Sequence, residues 1–570
     1  MGIAANEPEQ ISRLHQAGAT SSYAKPTDYT VTRDMKIVIA DGLPASAIEA
    51  LRQPDWQIDT KQGRSGVELA ADLKDADALV VRSATKVTRE LIDGAPKLRI
   101  IARAGTGVDN VDVAAATARG IVVMNAPGAN SLSVAELAMG FMLSLARKIP
   151  AADASMKASQ WEKSKFAGAE LRSKTLGLVG LGRIGQEVAK RAHSFDMEVI
   201  AHDPFISAEM AAAIHVELVS LDDLCARADY ISLHLPALAS TKHIFNAARF
   251  AQCKKGTRII NTARGELIDE TALADAIESG QVAGAGLDVF EAEPPKDWRL
   301  ATLPQVVATP HIAASTKEAQ EQVGTETASA LRDFLKEGII RNAVNFPSVS
   351  MEEHKRLKPF LTLASRLGLV VAQMGRAARI TAVGVRYYGE LAAESNQLLG
   401  SAVLEGVFAA ILSSSGVTPV NARAIAAERG IELVESRSTR SRNYTSLLSV
   451  KLHTSDGDRW VEGTAFENGS LRMVLVDGVV VEAPLEGTLL IIKNNDQPGV
   501  IGDVGTLLGR HKVNIASFAL GRDFTCTDCA IGVVKVDEHA ATGQGIVTDT
   551  VLEELRAVPH IREAWRVRLD

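Results

Sequence analysis

The stretch Leu176-Gly-Leu-Val-Gly180-Leu-Gly182-Arg183-Ile184-Gly185 decides the fold. Leu176–Val179 reads as a buried strand, and a helical pattern over Arg183–Ala192 begins inside the glycine run. A lone Gly-x-Gly-x-x-Gly is only a common turn. Entered by a strand and left by a helix, it becomes a dinucleotide-binding turn. Gly180 permits the tight bend, Gly182 lets a pyrophosphate reach the helix N-terminal amides, and Gly185 lets helix and strand pack closely. The next strand, Glu198–Ala201, ends at His202-Asp203-Pro204. Asp203 is placed to accept both ribose hydroxyl protons and to repel a 2′-phosphate. No Arg follows it, so NAD is favoured over NADP.

Working outward, short Val/Ile/Ala-rich strands alternate with helical patterns from residue 36 to about 340, which predicts an α/β architecture with parallel sheets. The strands before the glycine turn are Lys36–Ala40, Ala78–Val81, Ile100–Ala102 and Val122–Met124. A helix is expected over Ser133–Ala146, with Ser133 as N-cap and Glu136 completing a capping box. The second series runs from Thr175 to about Pro310. The pattern changes near Asn345-Phe-Pro. Residues 350–485 mix helices (Leu398–Ser414, Asn421–Arg429) with a β-rich run from Ser446 to Val481. After Gly487 the order is strand Thr488–Ile492, a helix after Pro498, and strands near Ile515–Leu520 and Ala530–Val536. A helix over roughly Gly545–Arg556 and a strand-like end, Ile561–Leu569, complete a βαββαβ, ferredoxin-like module.

The 570 residues exceed what one hydrophobic core supports, so three or four domains are expected. Aromatics make up only 4%, so Ala, Val, Ile and Leu must fill the cores, which suits buried parallel strands. A net charge of −7 without any basic block argues against nucleic acid, and no apolar run reaches the ~20 residues that cross a bilayer. Four cysteines in so long a chain point to a reducing, cytoplasmic compartment. Cys526-Thr-Asp-Cys529 lacks a second pair or a histidine at ligand spacing, so no metal site is expected. Residues 1–34 have no hydrophobic periodicity. Either Met35 is the natural start or they form a disordered extension.

Three later segments carry polar groups at strand ends, where open α/β sheets bind ligands: Asn261-Thr-Ala-Arg264, Asp288-Val-Phe-Glu-Ala-Glu293, and Pro310-His311. Oxidation of a 2-hydroxyl needs a base for the hydroxyl proton, and His suits it near neutral pH. A carboxylate on the other ring nitrogen fixes the tautomer, and an Arg fork holds a substrate carboxylate. Alone, each residue reads as a surface charge, a loop acid or a satisfied histidine; together they form a catalytic set. In this order they resemble the D-2-hydroxyacid dehydrogenase family over residues 36–345. The resemblance implies a Rossmann-type NAD domain, 133–316, and a discontinuous flavodoxin-like substrate domain, 35–132 with 317–344. It implies roles in catalysis for Arg264, Glu293 and His311. It implies cofactor contacts at Thr106, Arg183, Ile184, Leu235, Thr262, Ala263, Asp288 and Ala314 as well as at the glycine turn and Asp203. One departure is His311-Ile-Ala-Ala314, where relatives commonly have a glycine.

Val80-Val-Arg82-Ser-Ala-Thr and Ile101-Ala-Arg103-Ala-Gly-Thr106-Gly-Val-Asp109-Asn resemble the branch of that family that oxidises 3-phosphoglycerate to 3-phosphohydroxypyruvate, opening L-serine biosynthesis. Arg82, Arg103 and Asn130 would then meet the substrate. Residues 345–485 resemble that branch's α+β intervening domain. Only Arg472 marks an anion site there, so a spacer role is expected. Residues 487–570 resemble its ACT module. Family contacts for L-serine, acting as a feedback effector, map to Asn494, Asp496 and Asn514. Members of this branch are homo-oligomers, dimers or tetramers. Two other readings remain open: a glyoxylate/hydroxypyruvate or other D-2-hydroxyacid reductase, which usually ends near residue 345, and an NAD(H)-sensing corepressor-like binding protein.

Overall fold

The structure is a computed structural model that describes residues 34–375, 379–394, 396–412, 416–440, 442–522, 528–538 and 545–569. The extension up to residue 33 and Cys526 therefore lie outside the described residues. Four sheets follow one another along the chain.

The first contains β1 (Met35–Ile39), β2 (Trp56–Asp59), β3 (Ala78–Val81), β4 (Ile100–Arg103) and β5 (Val122–Met124). All are parallel, in the order β2-β1-β3-β4-β5, the flavodoxin-like winding. β3 is buried at every position, as a strand covered on both faces must be. The helix Lys317–Glu337 returns to this domain and sends Leu331, Phe334 and Leu335 into its core.

The second sheet holds β6 (Thr175–Val179), β7 (Glu198–His202), β8 (Glu217–Leu218), β9 (Tyr230–Leu233), β10 (Thr257–Asn261), β11 (Val282–Leu287) and β12 (Val306–Ala308). Their order, β12-β11-β10-β9-β6-β7-β8, is the doubly wound Rossmann arrangement, and the winding reverses between β6 and β9. One apolar core covers each face of this sheet. The helix Ser131–Arg147 lies against it through Phe141 and Met142. That helix starts two residues before the expected position. Asn130 is its N-cap residue, the Ser133 hydroxyl donates back to the Asn130 carbonyl at 3.0 Å, and Glu136 stays near Arg191 instead of closing a capping box.

The third sheet comprises β13 (Ile380–Gly389), β14 (Glu432–Ser438), β15 (Ser446–Thr454), β16 (Gly457–Ala465), β17 (Leu471–Val476) and β18 (Val479–Pro484), ordered β14-β13-β15-β16-β17-β18. Two helices, Met351–Met374 and Asn396–Ile411, cross so closely that a Cβ on Gly406 would strike the Ser365 carbonyl. The fourth sheet has β19 (Thr488–Asn494), β20 (Asn514–Arg522), β21 (Ala530–Asp537) and β22 (Ile561–Arg568) in the order β20-β21-β19-β22. The helices Val500–Arg510 and Asp549–Arg556 cover one face of it. The second of these is shorter than expected, because Thr548 caps it by accepting from the Val551 amide.

The third and fourth sheets were expected to belong to separate modules, yet they share one core. Leu489, Ile491, Ile531, Val533, Trp565 and Val567, from the uncovered face of the fourth sheet, cluster with Leu363, Leu367 and Leu452. A four-stranded sheet with helices on only one face must bury its other face somewhere, and here the neighbouring domain does so.

Candidate active site

The strands of the first and second sheets bring their loops to a common cleft. At the second sheet's reversal point, Gly180 has φ +99°, and a Cβ there would meet the His234 carbonyl. A Cβ on Gly185 would meet the Gly180 carbonyl, whereas the space above Gly182 is open. Asp203 stands over the turn. One carboxylate oxygen accepts the Leu181 amide at 2.8 Å and the other the Phe205 amide at 2.9 Å. Ile184 packs toward the sheet core, Leu235 toward the neighbouring core, and the Arg183 guanidinium donates to the Pro127 carbonyl at 2.5 Å. Two polar atoms beside this turn are buried without a partner: the Thr262 hydroxyl and Nδ1 of His234. Burial pushes the His234 imidazole down to about 4, so it is neutral at physiological pH. Open space over a helix start, a strand-end acid and unpartnered polar atoms fit a dinucleotide such as NAD.

Across the cleft lies the acid–base pair. His311 Nδ1 is 2.7 Å from Glu293 Oε2. A carboxylate only accepts, so Nδ1 carries the hydrogen and Nε2 keeps its lone pair. The hydrogen bond and charge of Glu293 raise the His311 pKa above its usual 6.5, against an opposing effect of burial. Burial pulls the Glu293 carboxyl upward, but the hydrogen bond from His311 and the charges of His311 and Arg264 outweigh it and hold it below the usual range. The His311 backbone is left-handed, φ +53°, and its amide donates to the Asp288 carbonyl at 2.8 Å. Asp288, expected at the cofactor, is wholly buried. Its carboxylate accepts from Thr309 Oγ1 and from the amides of Ile312 and Ala313, so it shapes the His311 turn that Ala314 completes. Ala263 donates its amide to Asn261 Oδ1 at 3.0 Å, and this turn sets the direction of Arg264.

The first domain supplies more positive charge. Arg103 is largely buried and its Nε has no partner; burial and the charges of Arg264 and Arg82 lower its pKa. A buried guanidinium nitrogen without a partner is costly, and among three arginines it suits an anion. Arg82 points one Nη toward the Gly42 carbonyl, while Asp41 grips the Arg82 amide at 2.6 Å. Thr106 donates its hydroxyl to Asn130 Oδ1 at 2.7 Å, joining two expected contacts at the cleft. Sequence reading passed over Asp41, Asp109, Asn110 and His234. Only their positions just beyond strand ends hinted at them.

Among the described residues no group of three or more His, Cys, Asp and Glu is placed to hold a metal. Cys529 lies 3.3 Å from Arg562 Nη1. No described helix is long and apolar enough to cross a membrane.

A cavity of about 420 Å³ opens in the last module, lined by Asn494, Asp496, Pro498, Gly499, Phe518 and Arg522 among others. Asp496 is ion-paired with Arg522 at 3.1 Å, and buried Asn494 donates to the Asn495 carbonyl. Asn514 does not join them. It faces Asp537 at 2.9 Å, whereas Asn494 registers with Ala530 at the opposite end of the sheet.

A Rossmann domain and a flavodoxin-like domain meeting over a His–Glu pair and several arginines define the hydroxyacid dehydrogenase class. The NAD binding domain of D-isomer specific 2-hydroxyacid dehydrogenases matches residues 139–313. The D-3-phosphoglycerate dehydrogenase intervening domain matches residues 356–477. A D-3-phosphoglycerate dehydrogenase of Methanocaldococcus jannaschii is 43% identical over 538 residues, covering 94% of this chain and all of its own. One of Archaeoglobus fulgidus is 44% identical over 490 residues, 86% of this chain and 92% of its own. A solved glyoxylate reductase from Paecilomyes thermophila is 32% identical with a TM-score of 0.50, but covers only 55% of this chain against 99% of its own. The chain belongs to the D-3-phosphoglycerate dehydrogenase family.

Proposed function

We propose that this chain oxidises 3-phospho-D-glycerate to 3-phosphohydroxypyruvate with NAD, the first step of L-serine biosynthesis. The observation that carries it is the His311–Glu293 pair at 2.7 Å facing a cleft that also holds Arg264, Arg103 and Arg82. The turn Gly180–Gly185 and Asp203 would hold NAD, which would supply the acceptor for the hydride leaving C2 of the substrate. His311 Nε2 takes the hydroxyl proton, and Glu293 stabilises the resulting imidazolium. Arg264 binds the C1 carboxylate, and Arg82 and Arg103 suit a phosphate dianion. NADH formation measured by absorbance with 3-phosphoglycerate tests the proposal. Turnover with glycolate or D-glycerate but none with 3-phosphoglycerate would replace it with the reductase reading. NAD binding without turnover would favour the sensor reading. The glyoxylate reductase likeness stops at 55% of the chain, which favours the phosphoglycerate reading.

The chain's second function is regulatory in this proposal. L-serine binds the cavity beside Asp496, its ammonium taken by that acid and its carboxylate by Arg522 and the helix amides after Gly499. Asn514 reaches such a cavity only from a second copy, so the enzyme is a homo-oligomer in this reading. The buried thiols of Cys225 and Cys253 suit a reducing compartment such as the cytoplasm.

A further inference from the structure

Asp109 lies on the loop after β4, in the first domain, and Arg264 on the turn after β10, in the second. They meet across the cleft. Asp109 Oδ2 accepts from Arg264 Nε at 3.1 Å and lies 3.0 Å from its Nη2. Nε and Nη2 form one edge of the guanidinium. Nη1 is drawn back onto the Ala263 carbonyl at 2.7 Å. Of the five guanidinium N–H groups, this leaves the two on the Nη1–Nη2 edge for a ligand. The guanidinium rests against Gly107, where any Cβ would collide with Nη2.

The next residue performs a matching task. Asn110 donates its side-chain amide to the carbonyls of Arg82 and Thr85, each at 2.6 Å. One dipeptide thus touches both anion-binding arms: Asn110 holds the loop of Arg82, and Asp109 holds Arg264 itself. Asp109 is 65% exposed, and an ordinary ion pair with so open a partner contributes little to stability. Its consequence must come through the orientation it gives the guanidinium.

We propose that Asp109 is a positioning residue for the reaction proposed above. It fixes the rotation of Arg264 from across the cleft and presents the free Nη1–Nη2 edge to the substrate carboxylate. A bidentate grip is lost if the fork turns, even though the charge remains.

A double-mutant cycle on the full-length enzyme tests this, with Asp109→Ala, Arg264→Ala and the pair. Asp109→Ala should raise KM for 3-phosphoglycerate about five- to thirtyfold, with KM for NAD unchanged. Asp109→Asn keeps an acceptor oxygen and should recover most of the loss. In the Arg264→Ala background, Asp109→Ala should add less than about twofold, because the residue acts through Arg264. Oxalate binding to the NADH complexes, followed by nicotinamide fluorescence, reads the same cycle without turnover. A parent that fails to oxidise 3-phosphoglycerate therefore overturns the proposed reaction and still leaves the cycle readable. Additive losses in the Arg264→Ala background, or an equal rise in KM for NAD, overturn the role of Asp109.

Discussion

Replacing Glu293 by Gln tests the centre of the mechanism. The amide can still accept from His311 Nδ1 and hold the tautomer, but it carries no charge to stabilise the imidazolium formed on hydroxyl deprotonation. A hydrogen bond with an ionised partner contributes about 1.5–3 kcal/mol and a neutral one about 0.5–1.5 kcal/mol. With side chains 51% and 40% exposed, solvent screens the pair, and a loss of roughly 1 kcal/mol is the fitting figure. At 1.36 kcal/mol per factor of ten, kcat for oxidation should fall roughly fivefold. The pH profile carries the sign. Glu293 raises the His311 pKa above 6.5, and oxidation needs neutral His311, so activity is lost as pH falls through that raised value. Without the charge the pKa drops, and the acid limb of kcat/KM moves to lower pH. Reduction of 3-phosphohydroxypyruvate needs the imidazolium, so its alkaline limb should move to lower pH as well. Stopped assays in both directions across the neutral range read both limbs. If the limbs stay in place and kcat stays within twofold of the parent, Glu293 does not act through His311.

Asp203→Ala should raise KM for NAD about tenfold and narrow the NAD/NADP preference, since the carboxylate both binds hydroxyls and repels phosphate; steady-state kinetics with each cofactor decide this. Arg103→Met should raise KM for 3-phosphoglycerate at least about tenfold. It should also raise the ligand-free melting temperature by roughly 2–4 °C, because it removes a buried cation whose Nε has no partner. A lower melting temperature would mean that Arg103 is structural. Asp496→Ala should abolish any inhibition by L-serine and leave dehydrogenase activity intact. Deleting residues 487–570 is a poorer test, since it would uncover Leu363, Leu367 and Leu452, which share a core with Ile491, Val533 and Trp565.

The sequence alone offered the glycine turn, the alternation of strands and helices behind both parallel sheets, and the candidate catalytic set, while β2, β8 and β9 went unnamed. Those signals are local: glycines that a bend or close approach requires, and buried strands that read as continuous apolar runs. It left residues 351–389 unassigned. The helix Met351–Met374 buries Leu363 to Ser365 and Leu367 to Ala372 in near-unbroken runs, so it has no amphipathic stripe to announce it. The N-cap at Asn130 was also missed, because its oxygen is taken by Thr106, 24 residues away, and no local pattern encodes that contact. Only the tertiary structure brought Asp109 of one domain onto Arg264 of the other, 155 positions along the chain, and tied the Asp288 carboxylate to the His311 loop. It alone fused the last two sheets through one core and separated Asn514 from Asp496. Residue types and short spacings encode which chemistry a segment offers. Which of those groups meet is fixed by how twisted sheets pack and where their loops converge, and that depends on every buried side chain at once.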